Sequence, residues 1–136
     1  MNRRTFLFSL GMLGCALALP QGVAAAPRSL VVYFSKTGEQ YGVGVISKGN
    51  MAIAAEIIAR KTGSDLCEIT VENDAYPRRY KPLCDAAKKE LNSHARPAYR
   101  KTAGDISMYD VIFIGAPVWW GDWPMVMYTF FEKENL

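Results

Sequence analysis

At 136 residues, half of them hydrophobic and about a fifth charged, the chain has the balance of one globular domain and not of a disordered segment. Three cysteines without a CxxC pair, and a single histidine at 94, leave neither a zinc ligand set nor a disulfide scaffold. Arg3 and Arg4 account for much of the +3 net charge; without the first 25 residues 14 basic side chains face 13 acidic ones, and no basic stripe argues for nucleic acid.

Residues 1–25 read as an export signal. Arg3 and Arg4 give a positive start, residues 6–19 form an apolar run, and Val23-Ala24-Ala25 supplies the small-x-small pattern of a signal-peptidase site. A cut after Ala25 is preferred to one after Ala26, which would put Pro27 just past the scissile bond. The apolar run falls short of the ~20 residues that span a bilayer, so no stable membrane span is expected. Asn2-Arg3-Arg4-Thr5-Phe6-Leu7 resembles the twin-arginine signal, whose pathway exports proteins already folded around a cofactor. A general secretory signal is the alternative, and Leu13-Gly14-Cys15 is a weaker match to lipid anchoring at Cys15. The expected location is the periplasm, with one domain over residues 26–136.

The mature part alternates. Ser29–Phe34 is a short β-branched and aromatic run, read as a buried strand. Residues 35–49, rich in glycine and polar groups, read as a loop. Asn50 is placed to cap a helix in which Ile53, Ile57 and Ile58 recur at helical spacing, with a stop at Gly63. Residues 66–71 form a second strand. The polar stretch 76–99 carries Pro77, Pro82 and Pro97, with a helix over 83–91. Residues 109–114 form a third strand, apolar on both sides, and a last helix starts just after Pro124. Strand-helix alternation of this kind indicates a parallel sheet covered on both faces. The loops 35–50 and 115–121 both leave carboxyl ends of strands, the edge at which open α/β sheets bind ligands.

Chemistry singles out the same two loops. A phosphate needs N–H groups and hydroxyls at a helix N-terminus, where the dipole favours negative charge. Ser35 and Thr37 supply hydroxyls, and Gly38 allows close backbone approach. Trp119 and Trp120 offer aromatic faces on which a flat apolar ring can stack. Cys67 and Cys84 read as inert core thiols, His94 as solvated, and Trp123 as lid or surface packing. Arg78-Arg79-Tyr80-Lys81 reads as a solvated loop, with an acidic partner as the alternative.

Ser35-Lys36-Thr37-Gly38 is similar to the S-x-T-G phosphate-loop start of the flavodoxin family. Lys48-Gly49-Asn50 resembles the point where a branch with an inserted phosphate loop re-enters its first helix. Gly115-Ala116-Pro117-Val118-Trp119-Trp120-Gly121 resembles that branch's G-x-P-x-W-W-G flavin loop, and Tyr76-Pro77, Tyr80 and Arg96-Pro97 fit it too. The likeness runs from about Leu30 to the chain end.

The resemblance implies a flavodoxin-like three-layer α/β/α sandwich with strand order 2-1-3, strands 4 and 5 being missing, and a non-covalent FMN. Ser35, Thr37, Gly38, Asn50 and Met51 would then face the phosphate, and Pro117, Val118, Trp119, Trp120 and Gly121 the ring, with Trp120 as stacking face. Met51 departs from the family's usual threonine and removes one side-chain donor. No side chain stands out as a catalytic acid, base or nucleophile. The implied function is electron transfer, the flavin carrying the chemistry. A charge near zero steers protein partners weakly and so favours a small acceptor such as a quinone, the donor remaining unspecified. With three strands where this fold needs five, the chain reads as a fragment whose third strand has an open edge over Val111, Ile112, Phe113 and Ile114, inviting self-association. The alternative is a non-catalytic remnant that retains no flavin and acts through that edge.

Overall fold

A computed structural model describes residues 25–74 and 76–136. The expected export segment, with Arg3, Arg4 and Cys15, lies outside the described residues except for Ala25. The elements run β1 (Ser29–Phe34), β2 (Gly38–Gln40), β3 (Gly44–Ile46), α1 (Asn50–Thr62), β4 (Asp65–Val71), α2 (Tyr80–Asn92), β5 (Tyr99–Lys101), β6 (Val111–Gly115) and α3 (Met125–Lys133).

β1 is the centre of the main sheet, pairing in parallel with β4 on one edge and β6 on the other. The expected order 2-1-3 is present as β4-β1-β6. A further strand, β5, adds antiparallel to β4 and makes the order β5-β4-β1-β6. Three residues, two of them cationic, give no strand signal on their own. β5 exists because β4 offers it a free edge, reinforced by Glu72 N–H to Ala98 O at 2.9 Å and Thr102 N–H to Glu68 O at 3.1 Å. Likewise the stretch read as an open loop folds into the β2–β3 hairpin, with Gly42 and Gly44 at positive φ around its turn.

Alternation along β1 divides the core in two. Leu30, Val32 and Phe34 face Cys67, Ile69, Leu83, Ile106, Val126, Met127 and Phe130, which puts α2 and α3 on one side. Val31 and Tyr33 face Ala55 and Ala59, which puts α1 on the other. The small side chains of Ala55 and Ala59, one turn apart, are what α1 buries. Ile53, Ile57 and Ile58, which defined its apolar spacing, stay 36–43% exposed on its flank. Val111 and Phe113 lie opposite Ser29 and Val31 in register, hence on the α1 face, and are exposed as well. Apolar side chains are thus left exposed both on the flank of α1 and on β6, where the sheet ends among the described residues.

The end of α3 is tied to β5 by Glu134, which accepts hydrogen bonds from Lys101 Nζ at 2.5 Å and from the Tyr99 hydroxyl. Burial pushes the Glu134 carboxyl up, but the Lys101 and Tyr99 hydrogen bonds outweigh it and hold it below the ordinary carboxylate range. A carboxyl depressed by folding adds stability above its unfolded pKa of ~4.3, and that stability is lost as pH falls through the folded value. The thermal midpoint should therefore drop on acidification below about pH 5. Glu134→Gln should lower the midpoint by a few degrees at neutral pH and flatten part of that drop. An acid limb identical in the two proteins would show that the pair does not contribute.

Candidate functional site

The loops leaving β1 and β6 diverge around a cleft of about 780 Å³, within the ~300–1,000 Å³ usual for small-ligand sites. Ser35, Lys36, Asn50 and Met51 border its inner end, and Pro117, Val118, Trp119 and Trp120 line one side. The rest of the lining comes from the hairpin, through Glu39, Gln40, Tyr41 and Val43, and from α2, through Tyr80, Leu83, Cys84 and Ala87. Seven of the ten residues expected at the site thus meet in one cleft. Gly121 follows in the adjoining turn, whereas Thr37 and Gly38 border a second hollow across the hairpin.

At the inner end, α1 is capped from outside its own segment. Asn50 is its first residue rather than its cap, and Gly49, the N-cap residue, has no side chain to offer. Ser35 fills the role, its Oγ accepting the Ala52 N–H at 3.0 Å from 17 residues upstream. Only glycine permits this approach: a Cβ at 49 would stand 2.2 Å from Ser35 Oγ and 2.7 Å from Lys36 O. The Asn50 and Met51 N–H groups have no intrahelical acceptor by position, and the first turn carries no acidic residue. The helix end is therefore a seat for an anion. The Met51 side chain reaches across to the other loop, where a Cβ at Gly115 would be 2.6 Å from Met51 Cε.

The second loop ends in a tight turn. Trp119 and Asp122 exchange backbone hydrogen bonds of 2.9 and 3.1 Å, and Trp120 and Gly121 have φ of 55° and 81°. Two left-handed central residues make a type I′ turn. Glycine takes this conformation freely, while a side-chain-bearing residue is strained by roughly 1–2 kcal/mol. The turn separates the two indoles. Trp119 packs edge-on against Phe34 and Tyr76, with centroids 5.5 and 5.0 Å away. Trp120 is 54% exposed; its Nε1 donates to Cys84 O at 3.0 Å and Lys88 Nζ sits 4.7 Å over its ring. Asp122 accepts the Tyr128 hydroxyl at 2.8 Å and so fixes the turn to α3. Trp123 packs edge-on against Phe131 at the surface.

The α2 wall is the part that sequence reasoning missed. Gly38, at φ 102°, leaves so little room that a Cβ there would lie 2.4 Å from Arg78 O. Glu39 then bonds twice to the start of α2: its N–H to Arg78 O at 2.8 Å, and its carboxylate to the Tyr80 N–H at 2.8 Å. Tyr41 in the hairpin turn meets Tyr80 at 5.6 Å between centroids. The S-x-T-G match drew attention to Gly38, but nothing local told that its neighbour would be Arg78. Among the described residues Cys67 and Cys84 are both free, as expected; Cys67 is fully buried in β4, whereas Cys84 borders the cleft and is not a core thiol. A hydrogen bond with the Cys84 side chain is the main cause that raises the Tyr80 phenol above its ordinary pKa.

Among the described residues no group of three or more His, Cys, Asp or Glu side chains is set to hold a metal, and no helix is long and apolar enough to cross a membrane. A model of the flavodoxin family matches residues 28–136. The chain belongs to the flavodoxin family. Its fold is similar to that of a flavoprotein from Lactobacillus acidophilus NCFM solved in complex with FMN, at 23% identity and a TM-score of 0.63, covering 79% of this chain and 66% of that one. A protein from Bacteroides uniformis ATCC 8492 assigned as a flavoprotein is similar at 28% identity and a TM-score of 0.62, covering 80% and 65%. The flavodoxin-family chain described here thus spans just under two thirds of the length of these structures. No curated protein matches it.

The hairpin wall depends on Glu39. Glu39→Ala should remove the α2 cap, worth about 1 kcal/mol, and lower the thermal midpoint by a few degrees. It should also speed proteolytic cleavage within residues 36–48. Unchanged cleavage would mean that the hairpin is held by other contacts.

Proposed function

We propose that this flavodoxin binds FMN non-covalently in the cleft and passes electrons to a small acceptor such as a quinone, after export to the periplasm. The observation that carries the reading is one cleft with an anion seat at the α1 N-terminus and an exposed indole, Trp120, on its side. The family and the FMN held by the Lactobacillus flavoprotein support it. The donor set fits a phosphate: Ser35 is already oriented at the helix end, the N–H groups of Asn50 and Met51 are available, and the Gly49 approach leaves no side chain in the way. Charge-assisted hydrogen bonds of roughly 1.5–3 kcal/mol each anchor such a group without a basic side chain. Thr37 and Gly38 belong to the same loop and support its shape.

The flavin supplies one- and two-electron redox chemistry when bound. The chain's own groups would hold and shield it: Trp120 would offer a stacking face, Pro117, Val118, Trp119 and Gly121 would shape the loop around it, and Leu83 and Ala87 of α2 would help exclude water. The near-neutral charge beyond residue 25 favours a small acceptor over an electrostatically steered protein.

Titration with FMN should give a yellow protein whose flavin fluorescence is quenched. Trp120→Ala should recover much of that fluorescence and weaken binding by roughly 1–3 kcal/mol through lost stacking and burial. Met51→Thr should tighten FMN by about 0.5–1.5 kcal/mol, the net worth of one hydrogen bond, and leave riboflavin unaffected. A chain that stays colourless in excess FMN leaves the non-catalytic reading in its place.

Export rests on the Arg3-Arg4 pair. Replacing both with lysine should strand the precursor in the cytoplasm, since the twin-arginine pathway reads the pair itself. Normal export of the double variant, followed by fractionation and immunoblotting, would assign the general secretory route instead.

A further inference from the structure

The hairpin that walls the cleft has a second side. There Thr37, Ser47, Arg78 and Arg79 border an open hollow of about 830 Å³. Gly38 pairs with Ile46, so Thr37 and Ser47 stand opposite each other at the base of the hairpin. Both arginines are exposed and sit where the chain presses on Gly38 and enters α2. Among the described residues, neither guanidinium makes an ion pair and neither hydroxyl makes a hydrogen bond. Among the described residues the one carboxylate on the rim, Glu39, is engaged with the Tyr80 N–H at the positive end of α2. Two cations and two hydroxyls therefore border a space whose one acid among the described residues is already bonded.

We propose that this hollow is a second anion site, taking the phosphate or carboxylate group of a small molecule other than the flavin. A guanidinium fork matches either group with two parallel hydrogen bonds, and the hydroxyls donate at the hairpin base. The backbone beneath is fixed by the Glu39–Arg78 and Gly38–Arg78 contacts, so the two arginine stems start from set positions. Glu39 borders both the hollow and the cleft, so a molecule anchored here lies one hairpin's thickness from the proposed flavin site. An anionic electron donor or acceptor would be held beside the cleft in this way.

The test titrates inorganic phosphate and pyrophosphate into the full chain, both free of flavin and saturated with FMN, by calorimetry at low salt. Binding should persist with FMN present. It should weaken about tenfold or more in Arg78→Gln/Arg79→Gln. The lysine pair, Arg78→Lys/Arg79→Lys, should retain part of it, and the FMN affinity of all three proteins should agree. Circular dichroism checks that the variants fold. If FMN abolishes phosphate binding and the glutamine pair weakens FMN, the hollow belongs to the flavin's own phosphate seat and the proposal falls. It falls too if phosphate binds all variants alike, or none. Should the chain take no FMN, the flavin-free titration still decides, because loss of phosphate in the glutamine pair alone supports the second site.

Discussion

The junction at Gly49 is the contact on which the rest of the site depends. A helix that follows a parallel strand must start close to that strand's carboxyl end, yet its first N–H groups need acceptors. Here Ser35, one residue past β1, supplies the acceptor, and the missing side chain at Gly49 brings it to 3.0 Å from the Ala52 N–H. A single approach thus satisfies the helix, fixes the direction of the loop and leaves the first two N–H groups facing outward. An ordinary N-cap at 49 would satisfy the helix equally well but push Ser35 away and open the floor of the cleft.

A similar economy sets the outer wall. The 15 residues inserted between β1 and α1 would be a mobile loop if nothing held their middle. Gly38 lets the backbone lie against Arg78, and Glu39 joins both its N–H and its carboxylate to the start of α2. The insertion becomes a two-stranded ribbon braced on a helix, and that helix becomes part of the site. Hairpin and α2 then act as one body and wall the cleft, although β6 is the last strand on its edge among the described residues.

Legibility followed burial. β1 is a continuous apolar run because a central parallel strand is covered on both faces, and such a run shows at short range. β4 instead alternates, buried Cys67 and Ile69 interleaving with Glu68 and Thr70, and β6 is apolar although Val111 and Phe113 stay exposed. The first helix announced itself by spacing, and the tryptophan loop by its composition. What sequence hid was decided by partners far along the chain. α1 has its isoleucines at helical spacing, but the face that fits against β1 is the narrow one made by Ala55 and Ala59. Asn50 is the residue type that caps helices, and Ser35 displaced it through a contact that only the folded loop creates. β5 and the α2 wall are tertiary outcomes of the same kind: Tyr99, Arg100 and Lys101 become a strand because β4 has a free edge, and Cys84 borders the cleft because the hairpin has bound the start of its helix.

Trp120 shows how these constraints meet. A glycine would adopt its left-handed backbone without strain, so the indole is kept at a cost of roughly 1–2 kcal/mol. The hydrogen bond from Nε1 to Cys84 O contributes about 1 kcal/mol, and Lys88 over the ring about 0.5–1 kcal/mol, which offsets that strain almost entirely. Both partners lie on α2, not on the loop itself. The orientation of the exposed indole is therefore set by the helix braced by Glu39, while Trp119, one residue away, is held by Phe34 and Tyr76 on the other side of the turn. With its neighbours anchored in opposite directions, the turn holds little freedom except at Trp120. A ring entering the cleft meets an indole whose present contacts only balance its strain, so stacking on it competes with weak bonds and not with the core.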